Sequence, residues 1–475
     1  MMRLKNILHN PSKFRLSYLI VLFFCNVSFV QLPAYVCLVF VFLWGVYTVY
    51  YKIKYQHCFE SFRFSLWLMG FLAVNIITML INLSIGFWFN LVMFFHVSIC
   101  FFVFYGIHTE KDINPKAELY KICKFIIYVT SVLGVLGFAL MMCGVKFEWM
   151  WIKFIIFENR FTGVYINPNL LGFISVVSIV CCHIISKRDF LMQAKRGRIS
   201  RLWLTVCLTF DLISLLLCDS NASIILLICY VIFTLVFYAF SMNARMNKKQ
   251  VFLKLISVML AAVYVVGAAL MVRSISQRAF TQLINPKDAR SQDALSVQEI
   301  SGSDAITFSH KDTKIDNGRI KLVKESFKLF QLSPVLGISN GNIIEYSQKY
   351  STGTLSLSYH NSDIHNGYLT ILVSTGVIGF ALFFIFGVKF GKHTIVNLFK
   401  RQNAGSKDIL PCLFAFCCGY LVYSLFEKAL LYDISFMVMW FWYMIGMTSV
   451  YLNKYEPLMG SYYTIGSRRL PKHMI

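Results

Sequence analysis

The feature that most constrains this chain is a series of long apolar runs that recur from one end to the other. They lie near 16–32, 33–50, 64–82, 87–107, 122–144, 169–186, 202–218, 222–240, 251–272, 366–390, 410–427 and 431–451. A helix of about 20 apolar residues spans the hydrocarbon core of a bilayer. Only 14% of the residues are charged, against roughly 25% in soluble globular chains. The sequence therefore predicts an all-α polytopic membrane protein with about 12 transmembrane helices and one large extracytoplasmic loop.

The formal charge of +23 does not indicate nucleic-acid binding, because the basic residues follow a membrane pattern. Lys and Arg collect in cytoplasmic loops, and this bias sets the orientation of the chain. With the N-terminus inside, the short outside loops hold only Lys146, Lys153, Arg160 and Lys428. Both termini are therefore predicted to be cytoplasmic. The first run lacks a cleavage site of the secretory type and is predicted to be a retained anchor.

The apolar runs divide the chain into three predicted regions. Residues 1–272 form an N-terminal transmembrane region of about nine spans, and 273–365 form the large extracytoplasmic loop. Residues 366–475 form a C-terminal transmembrane region of about three spans and a cytoplasmic tail.

One segment of the large loop has helical periodicity. Between Arg319 and Leu332, apolar residues recur at helical spacing on one face and lysines occupy another: Ile320, Val323, Phe327 and Phe330, and Lys321, Lys324 and Lys328. This pattern predicts an amphipathic helix at the outer membrane surface. Its lysines could meet lipid phosphates or a phosphate-bearing substrate, and the sequence leaves both open.

Two predicted outside segments contain arginines that could grip phosphate through bidentate hydrogen bonds. The first runs from Arg160 through Gly163 and Pro168 to Asn169, which could cap the following helix. The second begins with Arg319 and ends in the run Ser-Pro-Val-Leu-Gly at 333–337. A structured loop with a water-facing arginine explains the first segment equally well.

Two further segments contain groups that could move protons. His365-Asn366 begins the tenth apolar run, and a histidine there has a pKa near neutrality. His360 precedes another Asn five residues earlier and competes for this role. Gly376 and Gly379 in the same run suggest close helix packing. Glu427 needs a partner at a helix end, and the adjacent Lys428 could simply neutralise it.

The sequence gives no sign of a metal site or a cofactor. It has no two aspartates separated by a single residue and no two cysteines separated by two residues. A catalytic divalent cation is usually held by clustered carboxylates. We therefore expect chemistry without a metal and without a cofactor.

Together these segments resemble the O-antigen ligase and O-antigen polymerase family over roughly residues 155–450. Arg160 to Asn169 is similar to the family's R-x-x-G-x-x-x-N-P-N segment, and Arg319 with the 333–337 run to its arginine-helix-P-x-x-G segment. His365-Asn366 with the two glycines resembles its H-N-x-x-L…G-x-x-G signature, and Glu427 stands where many members have glutamate. One departure is the 218–223 stretch, which lacks the arginine of a Ser-Arg-Gly step; Arg273 and Arg278 are candidates to replace it.

The resemblance implies a GT-C-like helical enzyme of the bacterial cytoplasmic membrane. Its donor would be a polyprenyl-pyrophosphate-linked oligosaccharide, and it would transfer the glycan to a sugar hydroxyl with inversion. It implies that His365 is the general base and that Glu427 orients it or an arginine. Arg160 and Arg319 would bind the pyrophosphate, and Asn169 and Asn366 would support the site. Membrane lipid and other polysaccharide assembly proteins, such as a chain-length regulator, are the expected partners.

Three alternatives remain open from the sequence. Polymerisation of lipid-linked repeat units is preferred, but a ligase that transfers the glycan to a lipid A core shares the same motifs. A flippase or transporter of lipid-linked sugars would have a similar number of spans, although mid-span charges are few and Asp211 is the main exception. A scaffolding membrane protein would leave the clustered outside motifs unexplained.

Overall fold

The chain forms a helical, polytopic membrane protein. A computed structural model describes residues 7–55, 62–83, 85–110, 114–143, 147–149, 152–157, 160–187, 199–241, 248–284, 319–353, 355, 363–399 and 409–453. Within these residues seven helices are long and apolar enough to cross a membrane: Ser28–Tyr55, Phe87–Thr109, Pro115–Met142, Pro168–Ile185, Asn221–Ala239, Phe252–Phe280 and Gly367–Leu398. Shorter apolar helices are Ser65–Ile81, Leu410–Tyr423 and Phe436–Leu452. The number of spans and their orientation remain predictions.

The α-helices follow the predicted apolar runs closely. They are α1 (Pro11–Phe24), α2 (Gln31–Tyr55), α3 (Ser65–Ile81), α4 (Phe87–Ser98), α5 (Pro115–Met142), α6 (Pro168–Ile185), α7 (Arg201–Leu217), α8 (Asn221–Ser241), α9 (Lys248–Ile284), α10 (Arg319–Leu332), α11 (Ile343–Tyr350), α12 (Gly367–Phe399), α13 (Leu410–Tyr423) and α14 (Phe436–Asn453). A π-helix (Ile99–Phe104) and a 3₁₀-helix (Tyr105–Thr109) continue α4. The helix predicted from Arg319 to Leu332 has those bounds.

Two local features differ from the sequence-based prediction. The break between the first two apolar runs lies between Phe24 and Gln31, and Pro33 lies inside the first turn of α2. Proline is tolerated there because the first helical N–H groups have no partner within the helix. The second difference is a small antiparallel sheet of β1 (Phe147–Trp149), β2 (Ile152–Phe157) and β3 (Arg160–Gly163) in an otherwise helical chain.

The helices form two compact units. The first comprises Met1–Leu22, Cys37–Glu118 and Ile315–Ile475, and the second comprises Phe23–Val36 and Leu119–Lys314. In the first unit, α12 packs on α3, and α13 and the 3₁₀-helix pack on α14. Its core is aromatic: Trp442 contacts Phe101 and Phe386, with ring centroids 4.9 and 6.1 Å away. Gly446 allows α14 to approach the backbone of the π-helix, where a Cβ would lie 2.1 Å from the Phe104 oxygen.

A buried charge network joins four segments of the first unit. Arg15 Nε donates to Glu118 Oε1 at 2.8 Å, and Arg15 Nη1 donates to Glu110 Oε1 at 2.7 Å. Lys52 Nζ contacts the same Glu110 oxygen at 2.7 Å and also donates to the Gly106 carbonyl. Two cations and two carboxylates balance each other, which makes their burial tolerable. Arg15 and Lys52 therefore hold α1 and α2 to the rest of the unit.

Helix α12 is broken at Gly376, which has φ 62° and ψ −169°. The segment Ser333–Ser339, here called the inserted loop, pairs with the freed backbone groups. Ile338 N donates to Val373 O and Ser339 N to Ser374 O, and Val377 N donates to Pro334 O and Ile378 N to Val335 O. A break within an apolar helix requires such replacement, because hydrocarbon offers no hydrogen-bond partner. The two halves of α12 are thus held by a second stretch of backbone.

Glycine at two positions makes this close approach possible. A Cβ on Gly376 would lie 2.3 Å from the Val335 carbonyl carbon, and a Cβ on Gly337 would lie 2.4 Å from Thr375 N. Both glycines have positive φ, which glycine adopts at no steric cost. The close packing predicted for Gly376 is therefore packing against the backbone of a loop rather than against another helix.

The second unit contains α6 to α9 and the sheet. Helix α6 packs on α7 and α8, α9 packs on α7 and α8, and β3 contacts α6 and α7. Asn167 caps α6 by accepting a hydrogen bond from Asn169 N at 2.7 Å, with Pro168 in the first turn. The capping role predicted for Asn169 is therefore wrong, because Pro168 begins the helix and makes its predecessor the N-cap.

Candidate active site

The first unit fixes His365 and Asn366 against the turn that follows α13. Asn366 Oδ1 accepts hydrogen bonds from Tyr368 N and Leu369 N, both at 3.0 Å, and so caps α12. Asn366 Nδ2 donates to Leu425 O at 3.0 Å, and Gly367 N donates to Ser424 O at 2.8 Å. Glycine at position 367 allows this close approach, since a Cβ would lie 2.9 Å from Leu430 Cγ. The start of α12 is thereby held beside the residues around Glu427.

His365 has a strained backbone and a carboxylate beside its ring. Its φ is 52°, in the left-handed region, which is uncommon for residues other than glycine. Its Nδ1 lies 3.7 Å from Glu427 Oε2. The interaction with Glu427 raises the pKa of His365 above its ordinary value, while burial acts in the opposite direction. Such strain clusters at functional sites, and here it aims a basic imidazole at a carboxylate.

Arg319 lies on the other side of the same carboxylate. Its Nη2 is 4.0 Å from Glu427 Oε1, and its guanidinium lies 5.8 Å from the centre of the Phe426 ring. The Arg319 side chain is 44% exposed, whereas that of Glu427 is 13% exposed. The cation–π contact orients the guanidinium and leaves much of it accessible to an anion. Glu427 thus lies between a histidine and an arginine.

Buried Glu325 attaches α10, the helix that begins with Arg319, to the neighbouring helix α11. Its carboxylate accepts hydrogen bonds from the Ser347 hydroxyl at 2.5 Å, from the Ser351 hydroxyl at 2.9 Å, and from Thr352. Burial alone would raise the pKa of Glu325, but these three hydroxyls hold it below its ordinary value. Arg319 therefore projects from a helix whose other side is anchored.

Lys428 has a carboxylate partner other than Glu427. Its Nζ lies 2.7 Å from Asp363 Oδ1, two residues before His365 in the chain. Asp433 lies in the same turn region. Burial raises the pKa of Asp433 above its ordinary value, although the positive charge of Lys428 acts in the opposite direction. This pair ties the residues before His365 to the turn after α13. That Lys428 also neutralises Glu427 stays a prediction.

In the second unit, Arg160 lies in the protein interior. It is 6% exposed, its Nε donates to Cys218 O at 2.8 Å, and its Nη2 donates to Asn169 Oδ1 at 2.7 Å. The interpretation as a water-facing arginine is wrong, because β3 directs this side chain onto the turn between α7 and α8. Asn169 supports Arg160 through its side-chain oxygen.

Arg273 contacts the same turn from α9. Its Nη2 donates to Asp219 Oδ1, and its Nη1 donates to Asn221 Oδ1 at 2.7 Å. Gln277 also donates to Asp219 Oδ1, at 2.9 Å. The guanidinium groups of Arg160 and Arg273 are thus both buried at the turn before α8, and that of Arg273 is paired with Asp219. The helix dipole is positive at this N-terminus of α8. Arg273 Nε is buried and has no hydrogen-bond partner among the described residues.

The structure therefore gathers the predicted residues into two clusters, one in each unit. His365, Glu427, Arg319 and Asn366 lie together in the first, and Arg160, Asn169 and Arg273 surround the 218–221 turn in the second. Arg278 is an exposed residue of α9. His360 lies outside the described residues, so its competition with His365 stays open.

Sequence reasoning missed three contributors to these clusters. Phe426 stacks beneath Arg319, Asp363 pairs with Lys428, and Asp219 pairs with Arg273. Phe426 is adjacent to Glu427 and Asp363 lies two residues before His365, so both were visible beside predicted residues. Their partners, Arg319 and Lys428, are far away along the chain. Asp219 has φ 52°, a conformation that aspartate tolerates better than most residues.

Part of the chain matches the model of a known protein family. Residues 204–384 match the family model described as O-antigen ligase. The matched segment includes Arg273, Arg319 and His365, and it excludes Arg160 and Glu427. No curated protein matches the chain. The predicted resemblance is thus confirmed, over a narrower segment than the motifs suggested.

Proposed function

We propose, from the premise that residues 204–384 carry an O-antigen ligase domain, that this protein polymerises polyprenyl-pyrophosphate-linked oligosaccharide repeat units. The observation that carries the proposal is the arrangement of His365 and Arg319 on either side of Glu427. The reaction transfers a growing glycan from its pyrophosphate to a hydroxyl of another lipid-linked unit. It takes place on the outer face of the bacterial cytoplasmic membrane.

In this proposal His365 removes the proton of the attacking hydroxyl. With Nδ1 directed at Glu427, the other ring nitrogen, Nε2, is available for the acceptor. A general base of this kind contributes about 10²–10⁴-fold to the rate. The Glu427 carboxylate raises the pKa of His365 and stabilises the imidazolium that forms as the proton arrives. The 3.7 Å separation would shorten with substrate bound, as catalytic hydrogen bonds often do.

Arg319 stabilises the leaving pyrophosphate in this proposal. The sugar–phosphate bond breaks as the hydroxyl attacks, and negative charge increases on the departing oxygen. A preorganised guanidinium lowers the energy of that charge without needing a metal. Attack from the face opposite the pyrophosphate inverts the anomeric configuration.

The cluster of the second unit supports a separate assignment. Arg160 and Arg273 together carry one more positive charge than Asp219 balances, and the dipole of α8 adds to this potential. We assign this cluster to binding a phosphate group of a lipid-linked substrate. An Arg273→Gln variant would then bind a polyprenyl pyrophosphate more weakly, while Arg278→Gln, at an exposed position of the same helix, would bind it normally.

The decisive experiment uses the full chain in nanodiscs with a polyprenyl-pyrophosphate oligosaccharide donor and EDTA. The products are separated on a gel. A ladder formed from donor alone, lost in His365→Asn and retained in His9→Asn, is the expected result. Transfer of a single glycan only after addition of a lipid A core would make the protein a ligase. Movement of the donor across the bilayer without new glycosidic bonds would make it a transporter.

A further inference from the structure

Helix α10 has one face turned into the protein. Leu322, Glu325, Ser326 and Leu329 are buried. Leu322 and Leu329 belong to a core cluster with Ile338, Ile343 and Val373. At 100° per residue these buried positions occupy about a third of the helix circumference. The other residues of α10 lie on the remaining circumference.

The outward part of α10 has an apolar strip beside a basic strip. Phe327, 49% exposed, and Ile320 lie on the apolar strip, with the half-buried Val323 and Phe330 at its inner edge. The basic strip consists of Lys321, Lys324 and Lys328, all exposed. Of the apolar residues predicted from periodicity, Phe330 packs against the core cluster, whereas Ile320 and Phe327 remain exposed. A helix with adjacent apolar and lysine strips is typical of the membrane interface.

The apolar surface of α12 reaches α10 through the inserted loop. Val377 and Ile378 are exposed on α12, a helix apolar and long enough to cross a membrane. Val335 is 57% exposed and its carbonyl accepts the hydrogen bond of Ile378 N. Leu332, the last residue of α10, is also exposed. Exposed apolar side chains therefore occur on α12, on the inserted loop and at the last residue of α10.

We propose that α10 lies in the membrane interface and that Lys321, Lys324 and Lys328 bind the phosphates of anionic phospholipids in the surrounding bilayer. In this proposal Val335 and Ile378 meet acyl chains, and the C-terminal end of α10, three residues before Val335, lies close to the headgroup region. The apolar strip with Phe327 enters the acyl region, and the lysines extend to the headgroups as long basic side chains do. This inference does not depend on the proposed polymerase reaction.

The first test measures lipid binding by the purified full chain with native mass spectrometry in detergent. The wild type is expected to bind phosphatidylglycerol, which is anionic, in preference to phosphatidylcholine. Replacing all three lysines by glutamine should weaken phosphatidylglycerol binding by about tenfold or more. Replacing them by arginine keeps the charge and should retain binding. Lys349→Gln removes an exposed charge from the adjacent helix α11 and should have little effect.

The second test locates α10 directly. A photoreactive benzoylphenylalanine at position 327, activated in phosphatidylglycerol-containing nanodiscs, should form adducts with phospholipid. The same group at buried position 329 should crosslink within the chain. Crosslinking from position 327 to a second copy or to another protein would overturn the proposal. Equal phosphatidylglycerol binding by the glutamine and arginine variants, or lysine-dependent binding restricted to a pyrophosphate-bearing lipid, would also overturn it.

Discussion

At the residue scale, the proposed general base, His365, is held by both local and long-range contacts. His365 has a left-handed backbone, and the residue after it caps α12. The capping hydrogen bonds and the bond from Gly367 N to Ser424 O offset the cost of that backbone, of order 1 kcal/mol. They also bring the imidazole to Glu427. The local backbone conformation and the long-range contact with Glu427 therefore both position the His365 side chain.

Two substitutions of His365 distinguish an effect on the reaction rate from an effect on folding stability. Asparagine tolerates a left-handed backbone whereas alanine does not, so His365→Asn should fold like the wild type and His365→Ala should unfold at a lower temperature. Both should polymerise about 10²–10⁴-fold more slowly. Thermal unfolding and initial rates of ladder formation measure the two effects. Normal rates in the asparagine variant would remove His365 from the reaction.

The Glu427 carboxylate should control the pH dependence of the rate. It raises the pKa of His365, and a general base works only in its deprotonated form. The rate should therefore rise with pH through that raised pKa. In Glu427→Gln the pKa of His365 is lower, so the rising limb of the kcat/KM profile should move to lower pH, with a smaller plateau. A profile that keeps its position would indicate that Glu427 does not act through His365.

At the element scale, the break in α12 links the site to the inserted loop. The N-terminal half of α12 follows His365, and α10 with Arg319 precedes the loop that fills the break. Four backbone hydrogen bonds connect these segments. The positions of His365 and Arg319 therefore both depend on the same short stretch of paired backbone.

A methyl group at Gly376 should break this link. Gly376→Ala combines an unfavourable φ of 62° with a clash at 2.3 Å against the Val335 carbonyl carbon. The variant should unfold at a lower temperature and lose activity, as followed by fluorescence-detected size exclusion after heating. Gly387→Ala is the matched control, because a Cβ there meets nothing within 4 Å. Equal melting temperatures for the two variants would contradict the role of the break.

At the scale of the whole molecule, burial of charge is organised within each unit. The first unit contains the network of Arg15, Lys52, Glu110 and Glu118, and the second contains Arg160 and Arg273 around the 218–221 turn. In the first unit opposite charges are equal in number, as expected of a cluster that holds helices together. Among the described residues of the second cluster, two guanidinium groups accompany one carboxylate, which is the basis for proposing that it binds a phosphate group.

Removing Arg15 should destabilise the first unit strongly. Arg15→Met leaves Glu110 paired with Lys52 and removes the cation that pairs with buried Glu118. Breaking a buried ion pair costs about 3–5 kcal/mol. Thermal unfolding in detergent measures the loss. Arg15→Met combined with Glu118→Gln removes one charge of each sign and should recover part of the stability. No recovery in the double variant would mean that Arg15 acts through packing rather than through charge.

The sequence by itself determined where most of the helices form and which side chains could take part in binding or proton transfer. Hydropathy and helical periodicity report how each segment meets its surroundings, so the apolar runs and the helix from Arg319 to Leu332 could be identified locally. Only the tertiary structure decided that Glu427 meets His365 and Arg319, that Arg160 is buried, and that Gly376 breaks α12. The physical reason is that hydrogen bonds and ion pairs form between segments far apart in the chain. Their geometry exists only once those segments are packed together.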